Sequence, residues 1–518
     1  PSSPNEVEVM SYESVPASCP GFHPCSPDSC RVGKTQADLD AYVDETLTDS
    51  TGPIPLYMYM VATVASLNSI NYGFDVGVSS GVAVFVRQQF DLDDLQVGWF
   101  FSSVAITSAV GGLFSHAVSD QYGRKANFLA AQIIAISGLV VSASAGTYRA
   151  LMAGRLLVGL SVGIGMSIDP MYIAETAPAA HRGKLTTWAE VSTNIGITLG
   201  FVLSLLLKDL PLDWNWRAML SCGMFLPLIL IVLAITFMPE SPRWLVARGR
   251  VEEAQHILEK THPPGENVTE IIADIGVDLA CSDKCTVATW KAVVCPEPCY
   301  RQTVWLAFFV AIAQQINGVE GVLFYAPIIF KRSRIAETTT AQFTLTIVMG
   351  LIKVFFILLS TRFLDSSGRR PVLVIGAAGL AFSLALVSMG SFPAIGLGAL
   401  AAMGVMMFIA AFSFGFGPVC WLFAAELFPS MLRGKGMSMA VFLNRCAAFV
   451  ISLSFLPLTS ALGGQGQYFA LMACVNAVIA MICFFVVVET KGMSLEEISA
   501  MHKERMPLRA GCERSQVA

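Results

Sequence analysis

Charge is scarce in this chain. Only 14% of its 518 residues are Asp, Glu, Lys or Arg, while 54% are hydrophobic; a soluble protein of ordinary composition carries about 25% charged residues. That deficit excludes an ordinary soluble domain and points to a polytopic membrane protein. The net charge of −5 is too small to indicate a partner, and no nucleic-acid partner is expected. The stretch up to Thr51 is polar and rich in Pro and Ser, without the apolar core of a secretory signal. It reads as a disordered cytosolic tail over 1–55. The sequence opens at Pro1 rather than Met, which leaves a fragment or a processed form open. No nucleophile, metal site or phosphate loop is placed in a membrane cavity, so an enzyme is not expected and no cofactor is implied.

Thirteen cysteines follow no single pattern. Cys222, Cys420, Cys446, Cys474 and Cys483 fall in apolar spans, where a small apolar residue needs no special reason. Cys281, Cys285, Cys295 and Cys299 form two CxxxC pairs in a central polar segment, compatible with a structural zinc site or with unrelated reduced thiols.

What is abundant is apolar sequence. Stretches of about 20 residues, enough to cross a bilayer, begin near Leu56, Val97, Phe128, Tyr148, Leu185, Arg217, Thr303, Ala341, Val372, Ile395, Met437 and Tyr468. These twelve predict an all-α membrane protein. They divide into an N-terminal six-helix half over 56–239, a cytosolic segment with short helices over 240–300, a C-terminal half over 301–490 and a cytosolic tail over 491–518. Basic pairs at Arg124 and Lys125, Arg182 and Lys184, Arg369 and Arg370, and Arg433 and Lys435 share one side, which the positive-inside rule makes cytosolic, together with both termini. Lys331, Arg332 and Arg334 dissent from the outer side.

The halves repeat weakly. Asp120-Gln121-Tyr122-Gly123-Arg124-Lys125 after span two is echoed by Asp365-Ser366-Ser367-Gly368-Arg369-Arg370 after span eight, and Glu175 with Arg182 is echoed by Glu426 with Arg433. Topogenic basic residues would account for the Arg and Lys but not for the acids. The acids and bases are expected to form cytosolic salt bridges, weak singly, that latch the two halves together.

One carboxylate, Asp75, sits in the first span among Gly73, Gly77 and Gly81. A charge at mid-membrane costs about 2.5 to 3.5 kcal/mol on insertion scales, so such an acid is functional by default; the alternative is a helix-end cap at the water interface. The run Tyr72-Gly73-Phe74-Asp75-Val76-Gly77-Val78 resembles the first-helix motif of sugar porters of the major facilitator superfamily, whose proton-coupled members carry Asp there. Further matches are Arg155 in Ala153-Gly154-Arg155-Leu156, Pro239-Glu240-Ser241-Pro242-Arg243, Gln314-Gln315 with Gly318, Gly417-Pro418-Val419-Cys420-Trp421 and Glu489-Thr490-Lys491-Gly492. In order and at family spacing they are specific, and they cover roughly Leu56 to Glu497. Asp94-Leu95-Gln96-Val97-Gly98, Leu210-Pro211-Leu212 and Asn444-Arg445 are similar to plant-type polyol and monosaccharide proton symporters. His116 and Val488 depart from the pattern, where Gly and Pro are usual.

The resemblance implies parallel six-helix repeats with substrate between them, proton coupling by Asp75 and Arg155, and gating by Asp120, Arg124, Glu175, Arg182, Glu240, Arg243, Asp365, Arg369, Glu426 and Arg433. A site for hydroxyl-rich ligands needs amides or carboxylates and aromatic faces. Tyr72, Gln314, Gln315, Phe324, Tyr325, Gly417, Trp421 and Asn444 supply them, with span seven expected to unwind at Gly318 and Gly321 and Pro418 to remove a helix hydrogen bond in span ten. Glu190, Glu320 and Lys353 match the polyol type; Glu320 with Lys353 is the expected buried pair, with Glu190 an alternative partner or a substrate acceptor. Asp169 and Arg445 are further intramembrane charges, the first without an assigned role.

The expected function is import of a polyol or monosaccharide with a proton, by a functional monomer in the plasma membrane. A facilitator without coupling and a non-transporting sugar receptor are the alternatives.

Overall fold

The computed structural model describes residues 54–178, 181–264, 266–284, 290–296, 300–333, 335–392, 398–428, 432–487 and 489. Every regular element among them is a helix. The N-terminal half begins with α1 (Leu56–Phe90), α2 (Asp94–Tyr122), α3 (Arg124–Ala143), α4 (Tyr148–Thr176) and α5 (Arg182–Leu207). Its sixth span is divided at Gly223 into α6 (Leu212–Cys222) and α7 (Phe225–Phe237). Short helices α8 (Pro242–Ala247), α9 (Val251–Thr261), α10 (Val268–Lys284) and α11 (Trp290–Val294) follow. The C-terminal half comprises α12 (Arg301–Ile316), α13 (Val319–Arg332), α14 (Thr339–Ser367), α15 (Arg369–Ser391), α16 (Gly398–Phe414), α17 (Phe416–Leu427), α18 (Arg433–Ala461) and α19 (Gln465–Val486). Eleven spans are long and apolar enough to cross a membrane. The remaining one is α1, whose 35 residues are made more polar by Asn68, Ser69, Asn71 and Asp75.

Small residues set the helix spacing, as expected where lipid supplies no hydrophobic drive between helices. In the N-terminal half α1 lies against α5, and α4 against α2 and α3. A Cβ on Gly77 would fall 2.2 Å from the Ile197 carbonyl oxygen, and one on Gly200 2.5 Å from the Val78 nitrogen. The backbones touch there, so glycine is required on both helices. Between the halves, α2 packs on α18 and α5 on α14.

Both halves build the same polar corner. Gly123, at φ +96°, precedes α3, whose first amides are capped by Glu240: Arg124 N donates to Oε1 at 2.7 Å. Gly368, at φ +89°, precedes α15, capped by Glu489, which accepts from Arg369 N at 2.8 Å and Arg370 N at 3.1 Å. A carboxylate at a helix N-terminus satisfies orphan N–H groups and the positive end of the dipole. The guanidinium of Arg124 then grips Glu175 with two bonds of 2.8 and 2.9 Å, and Arg369 grips Glu426 at 2.9 Å.

In this conformation the observed bridges lie within each half. They tie α3 to α4 and α15 to α17, and among the described residues none joins the halves. Asp120 contributes a 3.3 Å contact to Arg124 on the next helix, and Arg243 is exposed. The side chains of Arg182, Asp365 and Arg433 fall outside the described residues, as do those of Cys281, Cys285 and Cys299; Cys295 is exposed.

The halves do meet at the opposite end of the bundle. Phe101 of α2 stacks on Phe324 of α13 with centroids 4.8 Å apart, and Tyr325 stacks on Phe455 of α18 at 4.4 Å. Beyond this aromatic plug Asp94 accepts from Arg87 at 2.6 Å and lies 3.7 Å from Arg332 of the other half.

Candidate substrate and coupling site

The site lies where two spans are broken. Helix α12 ends at Ile316, Gly318 takes φ +93°, and α13 starts at Val319. A residue with a side chain is strained at that φ. Gly321, also expected to unwind, remains inside α13. In span ten the break falls at Gly415, between α16 and α17. Pro418 therefore sits in the first turn of α17, where its missing N–H costs no helix bond, rather than interrupting a helix.

These breaks bring amides and charges together. Asn444 of α18 is the hub: its amide nitrogen donates to Gln314 Oε1 at 2.8 Å and to the Ala311 carbonyl at 2.7 Å, and its oxygen accepts from Gln315 at 3.2 Å. The same oxygen accepts twice from Arg445, at 2.6 and 3.0 Å. Gln314 also reaches the carbonyls of Phe416 and Gly417, each at 3.4 Å, joining span seven to the break in span ten. The Oε1 of Gln315 is buried without a protein partner. That leaves one amide acceptor for a ligand hydroxyl.

Glu320 is paired with Arg445, at 3.1 Å, rather than with Lys353. Ser452 donates to its other oxygen at 3.4 Å, and Arg445 also donates to the Tyr72 hydroxyl of α1 at 2.9 Å. Lys353 instead donates to Asn194 Oδ1 of α5 and lies 5.5 Å from the centroid of the Phe412 ring. Arg445 is a delocalised, weakly hydrated cation suited to a buried pair, whereas the Lys353 ammonium is a point charge with no fork to match a carboxylate. Glu190, half-buried, lies within the fields of both Lys353 and Arg445. Two polar contacts thus cross between the halves here: Tyr72 with Arg445, and Asn194 with Lys353.

Not every expected ligand-facing residue gathers there. Phe324 and Tyr325 belong to the aromatic plug, and the Tyr325 hydroxyl is committed to the Ser452 carbonyl at 2.8 Å. Trp421, half-buried, lies one turn beyond Gly417 on α17. Arg445 and Asn194 were not among the expected substrate residues. Arg445 announced itself as an intramembrane charge; nothing in the sequence singled out Asn194.

Asp75 and Arg155 form a separate centre within the N-terminal half. Arg155 Nη1 donates to Asp75 Oδ1 at 2.6 Å, with Arg155 fully buried and Asp75 6% exposed. The pair is under-satisfied, for Asp75 Oδ2 and Arg155 Nε and Nη2 lack hydrogen-bond partners, although the guanidinium also lies 4.8 Å from the centroid of the Phe100 ring. A crevice lined by Asn71, Phe74 and Asp75 opens beside it. Asp75 lies inside α1, fifteen residues before its C-terminal end, so it is not a helix-end cap.

Comparison with known proteins agrees with this arrangement. Residues 61–502 match the family model described as sugar (and other) transporter. Polyol transporter 5 of Arabidopsis thaliana is 33% identical over 467 residues, covering 86% of each chain, and the arabinose-proton symporter of Escherichia coli (strain K12) is 30% identical, covering 85% of this chain and 92% of that one. The partially occluded, inward-open structure of the xylose transporter XylE from E. coli superposes with a TM-score of 0.73 at 26% identity, covering 85% of this chain and all of that one. The chain belongs to the sugar porter family of the major facilitator superfamily, a multi-pass membrane protein with twelve spans in two six-helix halves.

Proposed function

We propose that this carrier imports a polyol or monosaccharide together with a proton by alternating access. The observation that carries the reading is the buried Asp75–Arg155 pair with one carboxylate oxygen free: an acid held by a single hydrogen bond can take a proton when the cation moves away. The named relatives, polyol transporters and sugar–proton symporters, support the substrate class and the coupling. No cofactor beyond the proton is required.

The substrate would exchange hydroxyl contacts with Gln314, Gln315, Asn444 and Glu190, while Glu320, Arg445 and Lys353 hold the electrostatic frame. Because Tyr72–Arg445 and Asn194–Lys353 cross between the halves, a ligand inserted among them would change how the halves meet. With the Arg124 and Arg369 corners on the cytosolic side, the plug of Phe101, Phe324, Tyr325 and Phe455 closes the outer end, and the present conformation faces inward. We place both termini in the cytosol, the carrier in the plasma membrane, and its working unit as a monomer.

The deciding experiment measures uptake of labelled myo-inositol, sorbitol and glucose into proteoliposomes, with and without an inward proton gradient. Accumulation that needs the gradient supports symport and identifies the substrate. Uptake that equilibrates whatever the gradient would make the protein a facilitator, and binding without uptake would make it a receptor.

A further inference from the structure

Asp169 is a second buried acid in the N-terminal half, and it has no cation. It is 2% exposed, on α4, and accepts from the Asn68 amide of α1 at 3.1 Å on each oxygen and from Ser69 Oγ at 3.2 Å. Gln132 of α3 donates to Asn68 Oδ1 at 2.9 Å. Gly165, one turn earlier on α4, makes room for the amide, because a Cβ there would fall 2.3 Å from Asn68 Nδ2. The other buried acids are provided for: Asp75 by Arg155, Glu320 by Arg445, and Glu190 by the fields of Lys353 and Arg445.

The charged groups on the surrounding helices are remote, and the titratable Tyr172, one turn further along α4, donates its hydroxyl to the Pro239 carbonyl at 2.8 Å. On α4 itself Arg155 and Glu175 are fourteen and six residues away, about 21 and 9 Å along the axis. Asp75 lies six residues beyond Ser69 on α1, about 9 Å, and Arg124 and Lys125 lie eight and seven residues before Gln132 on α3, about 12 and 10 Å. His116 and Asp120 on α2 bond to each other at 3.3 Å, and Glu190 on α5 faces the substrate site. Among the described residues, no salt bridge reaches Asp169. An isolated ionised carboxylate buried in this way is costly, and the usual escape is to bind a proton.

The neighbouring amides can accommodate that proton. Gln132 is 1% exposed, yet its Oε1 has no hydrogen-bond donor. Amide orientations in such networks follow from the partners present. With both amides reversed and a proton on Asp169, Asp169 O–H donates to Asn68 Oδ1 and Asn68 Nδ2 donates to Gln132 Oε1. Gln132 Oε1 then gains a donor while its Nε2 takes the unpartnered position, so the network takes up the proton without losing a bond, and the step is a single O–H bond formed or broken. We propose that Asp169, with Asn68 and Gln132, is a second protonation site of the carrier, distinct from Asp75 and set on its cytosolic side. Asn68, Asn71 and Asp75 share one face of α1 at helical spacing, a polar stripe joining the two acids. The placing of Asp169 on the proton's route inward rests on the proposed coupling; its protonation does not.

Infrared difference titration of the full-length carrier in proteoliposomes reads protonated carboxyl groups directly. Wild type and Asp75→Asn are expected to gain a carboxylic-acid carbonyl band on acidification that Asp169→Asn lacks. The same band in Asp169→Asn overturns the proposal. Should that variant fail to fold, Asn68→Ala provides the test. Asn68 donates to both oxygens of the ionised form and accepts one neutral bond from the protonated form, so its loss costs the ionised form more and should move the midpoint to higher pH, by up to roughly tenfold in proton concentration, and an unmoved midpoint overturns the proposal equally. Gradient-driven uptake by wild type is scored separately: its absence with the band present defeats the coupling reading alone, and uptake with no Asp169-dependent band defeats this proposal alone.

Discussion

Arg445 on α18 donates through one nitrogen to Glu320 on α13, at 3.1 Å, and to the Tyr72 hydroxyl on α1, at 2.9 Å. One guanidinium therefore neutralises a buried acid of its own half and touches the other half. Its other two nitrogens both donate to Asn444, which holds Gln314 and Gln315. The proposed substrate contacts and the meeting of the halves would thus share one network, as alternating access demands of a binding site.

Removing the acid tests that network. Glu320→Gln leaves Arg445 buried without its counterion, and breaking one side of a buried pair costs about 3 to 5 kcal/mol. The variant is expected to melt at lower temperature in detergent and to bind substrate at least tenfold more weakly. Adding Arg445→Gln should restore part of the thermal stability, because both charges are then gone. A double variant less stable than Glu320→Gln would show that the pair is not the source of the loss.

Asp75→Asn keeps the shape of the proposed coupling pair and removes its ionisable group. Each proton driven across 100 mV contributes about 2.3 kcal/mol, worth roughly fiftyfold accumulation. The variant should collapse the accumulation ratio to about one while counterflow exchange, which needs no net proton movement, continues. Undiminished accumulation would take the coupling role away from Asp75.

The sequence exposed the architecture through features local to one segment or repeated in two. The apolar spans, the matched runs at Asp120–Lys125 and Asp365–Arg370, the break at Gly318 and the acid at Asp75 are all of this kind. What it hid was pairing over distance. Glu320 and Arg445 are 125 residues apart, and counting buried charges could not choose between Arg445 and Lys353. Glu240 and Glu489 lie 116 and 120 residues from the helix ends they cap, so their equivalence shows only when the chain is folded. Asn194, a neutral amide, carries no mark that distinguishes a lysine's partner from any helix residue. Pro418 misled because a proline's effect depends on its position in a helix, and the helix begins two residues before it.

Helix contact through glycine gives a stability prediction independent of transport. Gly77→Leu forces a side chain into the Ile197 carbonyl, where even a Cβ would fall 2.2 Å away, and overpacking of this kind costs about 1 to 3 kcal/mol or more. Gly146→Ala meets nothing within 4 Å and serves as the control. Fluorescence-detected gel filtration should show the first variant aggregated or poorly recovered and the second like wild type. Equal recovery of both would refute backbone contact between α1 and α5.

The outer end of the bundle offers the most direct control over conformation. Asp94 joins Arg87 at 2.6 Å within its own half and approaches Arg332 of the other half at 3.7 Å, with all three partly exposed. A pair so solvated is worth about 0 to 1 kcal/mol, enough to bias a two-state equilibrium up to roughly fivefold but not to lock it. Asp94→Asn should therefore raise the outward-open population modestly and leave the fold intact. Spin labels placed on exposed outer positions of the two halves should record a larger fraction of long distances in the variant. High salt should produce the same shift in wild type and add little to the variant, since screening acts on the charge that the substitution removes. An unchanged distance distribution would assign closure of the outer end to the Phe101, Phe324, Tyr325 and Phe455 stack alone.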